Sequence, residues 1–132
     1  MIVSLHVATG AAGGALTRSR RVAIPLGLVL HALGDRMPHT DISSRRFEIR
    51  SGVVCALALA ARHGLFSPVT LGALAASVPD LEHVLPLPRP GGRKLFPSHR
   101  FHGWHRPGGV PAWAQLVAAG AILGVLLASP RD

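Results

Sequence analysis

The chain has 132 residues, a length that fits one domain. Hydrophobic residues make up 48% of it, aromatics only 5%, and there is no tyrosine, which argues against a β-sandwich or barrel and for helices rich in Ala, Leu and Gly. The formal charge of +8, from 14 Lys and Arg against 6 Asp and Glu, fits nucleic acid, anionic lipid or the basic loops of a membrane protein. The apolar content favours the last two, and the lack of interleaved aromatics or a nucleic-acid fold signature speaks against specific nucleic-acid binding.

Punctuation by Pro, Gly and charge marks five apolar segments, read as helices. The first runs from about Ile2 to Leu16 and stops at Arg18, Arg20 and Arg21. Its positive charges follow the apolar run, the wrong order for a secretory signal, so the segment is expected to be retained. The second runs from Val22 to about Met37 and is closed by Pro38. The third begins near Ser51 and ends at Arg62, His63 and Gly64, a C-terminal pattern of cations followed by glycine; Cys55 within it reads as a small buried hydrophobe. Ser67 and Pro68 look like the cap and first position of a fourth helix reaching Ser77. A loop over 86–109, rich in Pro, Gly, Arg and His, leads to the fifth segment, Pro111 to Ala128, about 18 residues and near the lower limit for crossing a bilayer core of about 30 Å.

These features predict a single all-α domain over 1–132, a small membrane bundle of about five apolar helices in a multi-pass cell-membrane protein. With five spans, residues 36–50 and 79–109 share one side, which carries the more numerous cations and is assigned to the cytoplasm. Every histidine except His63 falls at or near that side, together with Asp35, Asp41, Asp80 and Glu82.

Three local patterns carry chemistry. In HALGDRMPHTD, His31 and Asp35 are four apart on one helical face, and Pro38 ends the helix so that His39 and Asp41 can fold back. Imidazole beside carboxylate suits Zn, Mn or Fe, although a structural His–Asp hydrogen bond would explain the pair as well. In SVPDLEHVLP, Asp80 and His83 share a helical face, while Ser77 and Asp80 also fit a capping signal; Glu82 points elsewhere, as a solvated residue, a general base, or a group behind a metal ligand. In FPSHRFHGWHRPGG, His99, His102 and His105 recur every third residue, and Arg100, Trp104 and Arg106 among them would equally suit a lipid-headgroup surface.

Together, His6 before a small-residue helix, the His31-to-Asp41 stretch, Asp80 with His83, and the late histidines resemble a family of small integral-membrane proteins described as metal-dependent hydrolases. The His31–Asp35 segment is also similar to the H-x-x-G-D stretch of the helical zinc-dependent phospholipase C and single-strand nuclease superfamily. The resemblance implies a divalent metal, Zn first and Mn or Fe otherwise, held by His31, Asp35, His39, Asp80, His83 and some of His99, His102 and His105, activating a water against a phosphoester or ester. Arg100 or Arg106 would hold an anionic, lipid-like substrate, and Asp41 or Glu82 would act as base or support a ligand. The competing expectation is a scaffold whose metal is structural or regulatory, with all four positions closed by protein ligands. Membrane lipid, and a homodimer or partner chain to complete so small a site, are the expected partners.

Overall fold

The protein, described by a computed structural model over residues 1–129, is built from helices joined by short loops. The helices are α1 (Val3–Thr17), α2 (Arg20–Arg36), α3 (Arg45–His63), α4 (Pro68–Ser77), the short α5 (Pro97–Arg100) and α6 (Ala112–Ala128), with 3-10 turns at Val78–His83 and Pro90–Gly92. No strand is present among the described residues; the nearest thing to one is the pairing of His39 with Pro107 and Val110.

Glycine lets the central helices touch backbone to backbone. A Cβ on Gly72 of α4 would overlap the Gly10 carbonyl oxygen of α1, and one on Gly14 would overlap the carbonyl of Pro68. Gly27 of α2 approaches Gly72 and Ala76 in the same way. Small residues at these crossings bring α1, α2 and α4 close enough for their polar side chains to meet at one end. Apolar burial then seals the outside of that trio: Val7, Ala8 and Ala11 pack with Leu59 of α3, Val69 and Ala73 of α4, and Ala119, Leu123 and Leu126 of α6.

Helix ends are tied by side chains. Ser44 accepts from the Phe47 amide and Ser67 from the Thr70 amide, the latter followed by Pro68 at the first helical position. Glu48, in the first turn of α3, accepts from the Val3 amide at the start of α1, and Gln115 accepts from the Ile2 amide. At the other end of the molecule, Arg62 and His63 in the last turn of α3 donate to the Leu127 and Leu126 carbonyls of α6. His63 thus serves to hold two helix ends together, far from the other histidines.

The membrane bundle expected from composition is overturned. Among the described residues no helix is long and apolar enough to cross a membrane. Helix α6 has 17 residues, about 25 Å of rise against a core of about 30 Å, because Pro111 is its cap and not its first turn. Helix α3 has 19 residues but opens on Arg45, Arg46, Glu48 and Arg50, six residues earlier than its apolar run suggests. The multi-pass location, the transmembrane helices and the cytoplasmic placement of the histidines fall with the spans. Part of the apolar content is Ala used at close helix crossings, and large side chains such as Val54, Leu57, Val117 and Val125 lie exposed.

Candidate metal centre

Three elements converge on Asp35. It sits in the last turn of α2, 1% exposed, one turn after His31 on the same face. His31 Nε2 lies 2.9 Å from Asp35 Oδ2, and His6 of α1 reaches Oδ1 at 3.1 Å. From the loop side, His99 and His105 each place Nε2 at 3.2 Å from Oδ2, and the Ser98 hydroxyl donates to the same oxygen at 2.7 Å.

The loop that delivers His99 and His105 is anchored to the end of α2. His39 donates its amide to the Arg106 carbonyl, Val110 donates to Pro38, and Thr40 donates to Val110. Gly109, at φ +77°, passes so close to Pro38 that a side chain there would overlap it. The Trp104 indole donates to the Ala32 carbonyl at 2.8 Å, and the Arg36 guanidinium lies over its ring.

Proton positions follow from the outer nitrogens. His31 Nδ1 is 2.8 Å from the Ala76 carbonyl, which can only accept, so that nitrogen carries the proton. His99 Nδ1 is 2.5 Å from Glu82 Oε1, and His39 Nδ1 is 2.6 Å from the Met37 carbonyl, with the same consequence. In the neutral rings the inner nitrogens therefore present lone pairs. The Nε2 atoms of His31 and His99 face each other at 3.3 Å and both face a carboxylate oxygen, an arrangement that repels unless positive charge lies between them. A divalent cation supplies that charge to all three groups together.

The distances fit one. Ligands bound at 2.0 to 2.1 Å in a tetrahedron stand about 3.3 Å apart, and His31, Asp35 and His99 are separated by 2.9, 3.2 and 3.3 Å. Asp80 Oδ1 stands further off, 4.0 Å from His31 and 3.7 Å from His99, and its buried Oδ2 has no hydrogen-bond partner. Two other groupings, His6 with His31 and Asp80, and Asp80 with His83 and His99, also bring one ligand atom from each residue within 4.8 Å of the others. Each shares one histidine with the His31–Asp35–His99 grouping, and the two share Asp80 with each other. These buried His and Asp groupings can hold a metal ion.

Ionisation is strongly perturbed here. Burial alone would raise the Asp35 carboxyl, but the imidazoles of His105, His31, His6 and His99 set around it hold it far below the usual carboxylate range. Burial pushes Asp80 up to about 6, the charges of His31 and Asp35 modifying this, and lowers His83 to about 4 with help from His99 and Lys94. Glu82, 4% exposed, would be raised by burial but is held below its ordinary value by His99 and by the Leu95 and Phe96 amides.

No family model, curated protein or solved structure matches this chain. The resemblance to an integral-membrane hydrolase family is thereby left without support, and the absence of a spanning helix among the described residues contradicts it. The centre is to be judged on its own geometry.

That geometry sorts the residues singled out by sequence. His31, Asp35, His99, Asp80 and His83 come together, with His105 on Asp35 at 43% exposure. His39 pairs with Asp41, which is 66% exposed, at 3.1 Å. His102 and Arg106 are exposed on the loop, and Arg100 borders a cavity with Lys94, His83 and His99. Glu82 does not point elsewhere: the turn at Val78–His83 is 3-10, and Glu82 faces inward on His99, placed to orient that imidazole. Ser98 and the Ala76 carbonyl escaped sequence reasoning and had no signal in it. Gln115 did have one, as the lone polar side chain of an apolar helix; it is 2% exposed and holds the Ile2 amide and the Thr40 and Val110 carbonyls together.

His6 makes the metal-free centre acid-sensitive. Burial drives its imidazole from 6.5 to about 3, outweighing the Asp35 hydrogen bond, so the unfolded chain takes up this proton more readily than the folded one. Its contribution is intact above pH 6.5 and is lost on acidification toward pH 3, roughly 5 kcal/mol in all. Asp80 acts in the opposite sense between 3.8 and about 6 and offsets part of this. Urea unfolding of chelated protein at pH 5 and 7 is expected to lose less stability in His6→Gln than in wild type. Equal losses would contradict the assignment.

Proposed function

We propose that this protein is a divalent-metal-dependent hydrolase of phosphoesters or esters, with Zn favoured over Mn or Fe. The observation that carries the reading is the convergence of two imidazole lone pairs and the Asp35 carboxylate, with the far nitrogens of both imidazoles tied down by Ala76 and Glu82. Two nitrogens and an oxygen in a near-tetrahedral spacing suit Zn best, while Mn and Fe accept the same donors. A cation at such a site lowers the pKa of a water toward neutrality and polarises a phosphoryl or acyl oxygen.

The residues around it supply the rest. His31, Asp35 and His99 form three close ligands, and the wider-set Asp80 borders a cavity of about 410 Å³ that also reaches Asp35, His83, His105 and Arg45. Three close ligands beside an open cavity favour turnover over a closed structural site. Asp80 lines this space and its buried Oδ2 has no partner; with its pKa raised to about 6 it is suited to take a proton near neutral pH. Arg45, whose guanidinium reaches the His83 carbonyl, and Arg100 lie where an anionic group would enter. Asp41 and Glu82 are less suited to act as base: one is largely in solvent, and the other is committed to His99 and two amides.

The test is hydrolysis of p-nitrophenyl phosphate, bis-p-nitrophenyl phosphate and p-nitrophenyl esters by protein stripped with chelator and reloaded with Zn, Mn or Fe(II). Turnover that vanishes on chelation, returns with metal and is absent from Asp80→Asn is the expected result. Stoichiometric metal without turnover on any of the three would overturn the hydrolase and leave a structural or regulatory metal site.

A further inference from the structure

We propose that the groove between α3 and the α4–Val84 segment is a subsite for the apolar tail of an amphiphilic substrate whose anionic head lies at the metal centre. The inference rests on the hydrolase reading above and adds the substrate's shape. Behind the metal cavity lies a second space of about 220 Å³, lined by Val53 and Ala56 of α3, Leu74 of α4, and Val78 and Leu81 of the following turn. The two spaces adjoin: Val3, Ile49, Val84 and Asp80 line both.

The chemistry changes sharply along this path. At the metal end stand Asp35, Asp80, His83, His105 and Arg45. In the groove the only polar side chains are Asp80, at the junction, and Ser77, whose hydroxyl already donates to the Ala73 carbonyl at 2.8 Å. Nothing further along offers a hydrogen bond to a ligand, so water or a polar group there would be left unsatisfied and hydrocarbon would not. Gly52 keeps the groove floor low, since a side chain on it would strike Val3. An ester or phosphoester bonded to a linear alkyl or acyl chain would place its head on the cation and its chain along α3.

Binding of methyl-, butyl- and hexylphosphonate to metal-loaded protein, measured by calorimetry, tests this without requiring turnover. Affinity is expected to rise about two- to fourfold per methylene, as transfer of buried CH₂ implies. Two variants should flatten that dependence while binding methylphosphonate as wild type does: Ala56→Phe, which fills the groove, and Val53→Asp, at a half-exposed rim position that tolerates charge without refolding the helix. Flat affinities in wild type, or a steep dependence retained in both variants, would overturn the subsite. So would a change in oligomeric state in Val53→Asp with chain dependence intact, which would mark the groove as a contact between copies. Chain-dependent binding with no hydrolysis would leave the subsite standing and remove only the catalytic reading.

Discussion

Replacing Asp35 by alanine is expected to abolish stoichiometric metal binding, while Glu82→Gln weakens it about 10- to 100-fold. The two residues differ in what they touch. Asp35 supplies an oxygen that His31, His99 and His105 all face, and no other carboxylate comes as close to the inner nitrogens of His31 and His99. Without it, two neutral imidazoles and a distant Asp80 remain, too few close donors for tight binding. Glu82 touches only the far side of His99, so its loss frees the ring to rotate or change tautomer but leaves every ligand in place. Elemental analysis of the purified variants, with competition against a chromogenic chelator, reads both effects. Metal retained at wild-type affinity in Asp35→Ala would show that the cation, if any, sits elsewhere.

Gly72→Val is expected to cost about 3 kcal/mol or more, and to cost metal binding with it. Its Cβ would overlap the Gly10 carbonyl, which belongs to a helix backbone and cannot swing aside as a side chain would. Helices α1 and α4 would have to separate, and with them would go the His6 stack on His31 and the Ala76 carbonyl that fixes the His31 tautomer. Gly120→Ala is the control: nothing lies within 4 Å of its added Cβ, and helix propensity alone should make it neutral or slightly stabilising. Thermal melts of the three proteins decide the matter, and a Gly72→Val melting point near that of wild type would mean that the crossing is looser than drawn.

Helix positions were largely legible because Pro, Gly and capping serines punctuate them, as at Ser67–Pro68 and at Gly64. The charged start of α3 was not: its first turns carry Arg45, Arg46, Glu48 and Arg50, capped by Ser44, with Glu48 bonded to the Ile42 and Val3 amides. The membrane expectation failed for a physical reason. Hydropathy counts Ala as lipid-facing material, whereas here Ala75 and Ala76 lie with Gly10, Gly14, Gly27 and Gly72 where helix backbones meet. For the centre, the i, i+4 spacing of His31 and Asp35 was readable from helix geometry. Which late histidine would meet them was not, because it depends on where one loop lands: a turn at Pro97–Arg100 aims His99 inward and leaves His102 in solvent. Glu82 was misjudged because a 3-10 turn directs its side chain differently from the α-helix assumed for it.

His31 and His99 are 68 residues apart in sequence, and Asp80 and His105 come from further segments. A cation bound by them would act as a clasp across long-range contacts, whose closure carries a large entropic cost. Its occupancy would add to stability by mass action, in proportion to the logarithm of free metal over the dissociation constant. Starved of the ion, the protein would open first along the loop from Leu85 to Val110, exposing it to proteases. The protein's lifetime would then track metal supply, and abundance would fall before any loss of turnover per molecule could be measured.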